Sequence, residues 1–123
     1  MVKTILAVDD EQDVIYTIKL GLEKLDEEIK VIGASSGEKC FDFLKNEKKP
    51  DLILLDIMLP DMSGWQILEQ IKANKKWSGI PIIFLTARTD NIAKKAGGFL
   101  AEDYVEKPFE AKDLKSRIDE LLK

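Results

Sequence analysis

Five polar side chains stand where apolar runs stop. Asp9 and Asp10 follow Ile5-Leu6-Ala7-Val8, Asp56 follows Leu52-Ile53-Leu54-Leu55, Thr86 follows Ile82-Ile83-Phe84-Leu85, and Lys107 comes soon after Tyr104-Val105. If each run is a strand of one parallel sheet, these groups gather on a single edge, where the ligand sites of open α/β sheets lie. Three carboxylates packed together repel, and one of them tends to stay protonated. A divalent cation relieves that repulsion, and magnesium favours hard oxygens: one or two carboxylates, waters and a phosphate oxygen. Lys107 cannot join such a ligand set, so it must pair with something anionic. A phosphoryl group on one carboxylate satisfies every member. Its oxygens are neutralised by the cation and Lys107 and hydrogen-bonded by the Thr86 hydroxyl, and the carboxylate is itself the nucleophile, giving an aspartyl phosphate.

Each signal has a plainer explanation when taken singly. Asp9-Asp10 ahead of Glu11 can merely serve the positive end of a first helix. Thr86 can be an ordinary strand-end residue, and Lys107 before Pro108 a loop cation. Asp56 fits less well, because an acid directly after four apolar residues interrupts what should be core. The conjunction of one polar group per strand end is what carries the reading.

The elements that must position these groups alternate along the chain. Unbroken apolar runs at 5–8, 31–34, 52–55 and 82–85, with a weaker one at Tyr104-Val105, suit strands covered on both faces. Between them lie amphipathic stretches: Val14, Ile18, Leu22 and Leu25; Phe41 and Leu44; Ile67 or Leu68 with Ile71; a short one at 93–97; and Leu114, Ile118 and Leu121. Five strand–helix alternations predict an α/β fold with helices on both sides of a parallel sheet. Gly33, Gly37, Gly64, Gly79, Pro50, Pro60 and Pro81 fall at the junctions. The 123 residues form one expected domain, 1–123.

Composition removes other chemistries. The chain has no histidine, so a Ser-His-Asp triad, a His-ligated zinc site and a phosphohistidine carrier are excluded. The single cysteine, Cys40, can form no internal disulfide and reads as a small buried thiol rather than a nucleophile. Net charge is -4, and the paired lysines at 48–49, 75–76 and 94–95 are scattered among acids as solvated surface, not gathered into a nucleic-acid stripe. No run approaches the roughly 18 apolar residues of a membrane span. The first apolar run stops at Asp9, too short for a signal-peptide core. A cytoplasmic protein that binds neither nucleic acid nor membrane is expected.

The segments 5–11 (ILAVDDE), 54–64 (LLDIMLPDMSG), 85–88 (LTAR) and 101–109 (AEDYVEKPF), in this order and spacing, resemble the receiver domain of two-component response regulators over essentially the whole chain. The resemblance implies a flavodoxin-like, doubly wound sheet of five parallel strands in the order 2-1-3-4-5 with five helices, the order known from the chemotaxis member of this family. It implies that Asp56 is the phosphoacceptor, loaded from a sensor histidine kinase or phosphotransfer protein. Asp9 and Asp10 would hold Mg2+ (or Mn2+), aided by Asp56 and the backbone carbonyl of Met58. Thr86 would be the switch hydroxyl, Tyr104 the switch aromatic and Lys107 the phosphoryl-binding cation, with a cis peptide at Lys107-Pro108. The output would be a contact with a downstream protein target through the fourth helix, fifth strand and fifth helix, near 90–97, 103–105 and 110–122. That face carries Lys94, Lys95, Lys112 and Lys115 among Asp113, Asp119 and Glu120. Such a chain catalyses only its own phosphorylation and dephosphorylation. One departure is visible: the stretch from Thr86 to Lys107 is about a residue short, with Gly97-Gly98-Phe99-Leu100 where the family commonly has one glycine.

Two rivals are weaker. A haloacid-dehalogenase-like phosphatase also forms an aspartyl phosphate, but resemblance to it requires a second Asp two residues after the nucleophile. Here that residue is Met58, which cannot transfer a proton. A degenerate receiver acting only as a scaffold would have lost an acid or the lysine, and all are present. A start at Met1 and a helix running to Lys123 lead to the expectation of a stand-alone receiver.

Overall fold

A computed structural model of the chain describes residues 2–86 and 101–123. Five strands, β1 (Lys3–Val8), β2 (Ile29–Ala34), β3 (Leu52–Asp56), β4 (Ile82–Thr86) and β5 (Asp103–Glu106), form one sheet in the order β2-β1-β3-β4-β5, with every neighbouring pair parallel. The described helices are α1 (Gln12–Leu25), α2 (Gly37–Asn46), α3 (Gly64–Ala73) and a C-terminal helix, α4 (Ala111–Leu121). The expected short helix at 93–97 and the Gly97–Gly98 departure lie outside the described residues.

The sheet's central strands explain their unbroken apolar runs. Alternate residues point to opposite faces. On one face Leu6, Val8, Ile53, Leu55, Ile82 and Phe84 meet Leu44 of α2 and Ile67, Leu68 and Ile71 of α3. On the other face Ile5, Ala7, Leu52, Leu54, Ile83 and Leu85 meet Ile18 and Leu22 of α1 and Leu114 and Ile118 of α4. Each such fully buried Leu or Ile contributes about 1.5–3 kcal/mol. Helix starts are fixed locally. Ser36 Oγ accepts the Lys39 N–H (3.1 Å), and Ser63 and Gln66 form a reciprocal capping box.

Two sequence expectations need correction. The second strand starts at Ile29, two residues before the apolar run. Its burial is interrupted because β2 is a sheet edge, with Lys30 and Gly33 exposed. Leu25 does not continue the buried stripe of α1 but lies exposed at the helix's last residue, beyond the sheet's cover. Lys115, on the expected output face, pairs with Asp119 (2.6 Å) and with Asp26 past the end of α1 (3.6 Å). No helix among the described residues is long and apolar enough to cross a membrane.

Candidate functional site

Strand register brings the acids together. Val8 of β1 is level with Leu55 of β3, so Asp9 and Asp56, each the next residue, leave adjacent strands side by side. Asp56 is level with Leu85, which puts Thr86 one step further along β4; the Thr86 side chain lies outside the described part. Thr86 is level with Glu106, and Lys107 follows it. The four strand ends thus deliver their polar residues to one edge.

Asp9 is completely buried and well partnered. Its Oδ1 accepts the Glu11 N–H (2.9 Å) and its Oδ2 accepts from Lys107 Nζ (2.9 Å). The Glu11 contact is part of the simpler role considered for this residue, because it shapes the turn into α1. The α1 N-cap, Glu11, makes no side-chain cap of its own. Asp10 is exposed. Asp56 is buried with thinner support among the described residues: Lys107 Nζ lies 3.7 Å from its Oδ2, and the Met58 N–H reaches its Oδ1 at 3.4 Å. Burial, together with the negative charge of Asp9, pushes the Asp56 carboxyl up to about 6, against the pull of Lys107. Burial draws the Lys107 ammonium down, but the Asp9 hydrogen bond and the charges of Asp56 and Asp9 outweigh it, so the lysine stays protonated above its ordinary range.

Oxygen atoms of Asp9, Asp10 and Asp56 lie within 4.8 Å of one another. Three hard donors at that spacing, one of them open to solvent, fit a magnesium or manganese ion that keeps some of its waters. The loop after β3 is tightly drawn. Met58 and Ser63 form an antiparallel bridge, and the Gly64 N–H donates to Ile57 O (2.7 Å). A Cβ on Gly64 would stand 2.5 Å from the Asp56 carbonyl oxygen, so only glycine lets α3 start this close to the acid. The Met58 side chain is exposed.

Tyr104 is half-buried against the α2–α3 side of the core, and Lys107-Pro108 is cis. On the expected output face, Arg117 grips both carboxylate oxygens of Asp103 at 2.8 Å, joining α4 to β5; residues 90–97, with Lys94 and Lys95, lie outside the described residues. Cys40 is buried, and burial pushes its thiol up to about 12, as an inert core residue requires. Sequence reasoning missed Asp61, which reaches across to α2. A Pro-Asp pair reads locally as a turn, and no periodicity signals a helix cap borrowed from another loop.

Residues 5–119 match the model of the response regulator receiver domain. The chain is 37% identical over 124 residues to the alkaline phosphatase synthesis transcriptional regulatory protein PhoP of Bacillus subtilis, covering 100% of this chain and 50% of that protein. It is 39% identical over 121 residues to the response regulator SaeR of Staphylococcus aureus, covering 96% of this chain and 50% of that protein. The chain therefore spans about half the length of these curated relatives. A putative response regulator from Chloroflexus aurantiacus superposes with a TM-score of 0.89 at 33% identity, covering 99% of this chain and 98% of that one. A receiver-type sheet order, an acid cluster at its carboxyl edge and a family match over nearly the whole length agree: the chain belongs to the receiver domains of two-component response regulators.

Proposed function

We propose that Asp56 accepts a phosphoryl group from a phosphohistidine of a sensor kinase or phosphotransfer protein, or from a small phosphodonor. The observation that carries this reading is one lysine reaching two of three clustered carboxylates, of which Asp56 is the less satisfied. An oxygen of ionised Asp56 bonds to phosphorus as the phosphorus–nitrogen bond breaks. The imidazole leaves with that electron pair and takes a proton from water. Lys107 holds positive charge against the incoming oxygens, and Asp9 keeps the ammonium in place. Asp9, Asp10 and Asp56, with the Met58 carbonyl, would hold Mg2+ (or Mn2+), which supplies charge neutralisation when bound. Attack of water on phosphorus, with release of inorganic phosphate, restores the carboxylate.

Thr86 and Tyr104 turn this chemistry into a change of shape. A hydroxyl that bonds the new oxygens gains an interaction in one state only, the differential contact that a switch requires. The output is a contact with a protein target through β5, α4 and the 90–97 segment. A pull-down comparing phosphorylated and unphosphorylated chains tests it; equal partner capture in both states would move the output surface elsewhere. For the chemistry, intact-mass spectrometry with a phosphodonor and Mg2+ should show one added phosphoryl group, absent in Asp56→Asn and in EDTA. Undiminished labelling under either condition would contradict the assignment.

A further inference from the structure

The loop that follows Asp56 is held from a side that the acidic cluster does not explain. Its base is closed by the Met58–Ser63 bridge and the Gly64–Ile57 hydrogen bond. Its far side is clamped to another helix: Asp61 Oδ1 accepts the Gly37 N–H and Asp61 Oδ2 the Glu38 N–H, both at 2.9 Å. These are the first two amides of α2, where a helix dipole favours an anion. The helix already has its own cap, since Ser36 Oγ takes the Lys39 N–H. Met62, the next residue of the loop, packs on the same spot; a Cβ at Gly37 would lie 2.5 Å from Met62 Cγ. The turn from β2 into α2 also touches the other acid-bearing loop, because Ala34 O accepts the Asp9 N–H (3.0 Å). One short turn, 34–38, therefore grips both the Asp9 backbone and the Asp61 carboxylate.

We propose that Asp61 is a positioning residue for the acidic site. By locking the 57–63 loop to the 34–38 turn, it sets the spacing between Asp9 and Asp56 and holds Met58 beside Asp56. The inference rests on the reading of Asp56 as a metal-dependent phosphoacceptor. Groups that orient a site from behind typically change metal affinity or activity about 10–100-fold when removed, and Asp61, acting through a loop, is placed at the low end of that range.

The test compares Asp61→Ala, Asp61→Asn and Ser36→Ala with the parent chain, using calorimetric titration with Mg2+ alone and labelling with phosphoramidate. Asp61→Ala is expected to raise the Mg2+ Kd and the Mg2+ concentration for half-maximal labelling about tenfold. Asp61→Asn, which keeps one of the two acceptors, should fall between. Ser36→Ala removes a cap of the same helix at similar cost in stability, yet should leave Mg2+ affinity within about twofold. Should Asp61→Ala not fold, Asp61→Asn decides, with a Kd about threefold or more above the parent expected. Asp61 variants that bind Mg2+ like the parent, or an equal weakening in Ser36→Ala, would reduce Asp61 to a helix cap and overturn the inference alone. A parent chain that neither binds Mg2+ nor labels would overturn the reading of Asp56, and this inference with it.

Discussion

The ends of β1 and β3 carry the same kind of group to the same place, yet treat it differently. Asp9 has no exposed surface, and both of its oxygens are occupied, one by the Glu11 amide and one by Lys107. Asp56 is nearly as buried, but its two contacts among the described residues are long, 3.4 Å to Met58 N and 3.7 Å to Lys107 Nζ. Burial and the neighbouring charge of Asp9 push the Asp56 carboxyl up to about 6. A carboxylate with both oxygens engaged is a structural anchor; one buried beside it with weak partners is left to react. The difference supports the proposed division of roles, in which Asp56 rather than Asp9 takes the phosphoryl.

Lys107 is the sharpest point at which to break that contrast. In Lys107→Met, Asp9 loses its ammonium partner inside the fold. Breaking a buried pair from one side costs several kcal/mol, and with the lysine partly exposed we expect about 3 kcal/mol in urea unfolding without metal. Added Mg2+ should recover part of this. A loss below about 0.5 kcal/mol would show that Asp9 does not depend on the lysine.

The cost of ionising Asp56 gives the next effect, with the opposite sign. A carboxyl raised from 3.8 to about 6 binds its proton more tightly in the folded state than in the unfolded one. Stability without metal therefore falls as pH rises from about 4 to about 6, by about 3 kcal/mol, and stays low above that. Asp56→Asn should remove this slope and raise Tm in EDTA at pH 8, while abolishing phosphorylation. Parallel pH–stability curves for Asp56→Asn and the parent would remove the distinction between the two acids.

The smallest effect on the chemistry belongs to the neighbouring strand end. Thr86→Ala should leave Asp56 labelling largely intact while shrinking the NMR shift changes at Tyr104 and along α4. Shifts spreading as far as in the parent would uncouple Thr86 from the switch.

Much of this arrangement is legible in the residues, and the exceptions have physical causes. Unbroken runs such as Leu52-Ile53-Leu54-Leu55 disclose strands covered twice, and an acid at the end of such a run marks the site edge. The edge strand β2 blurs the signal, because it leaves Lys30 exposed on one face and needs Gly33 on the other, where a Cβ would stand 2.7 Å from Ile15 Cγ2 of α1. The resemblance separates the roles of Asp9 and Asp56, but their unequal partnering is invisible in sequence, because it depends on where a lysine from the far end of the chain comes to rest. Asp61 is hidden for the same reason: its partners are the amides of a helix that precedes it by more than twenty residues.

The central claim, that Asp56 and not its buried neighbour is the phosphoacceptor, is most directly tested by mapping the modified residue. The chain would be labelled with phosphoramidate and Mg2+ and reduced with borohydride, which converts an aspartyl phosphate to homoserine. Digestion and fragment-mass sequencing then locate the altered residue. The expected result is homoserine at position 56 alone, and none when Mg2+ is withheld. Homoserine at position 9 or 10, or labelling of position 56 that ignores Mg2+, would contradict the account.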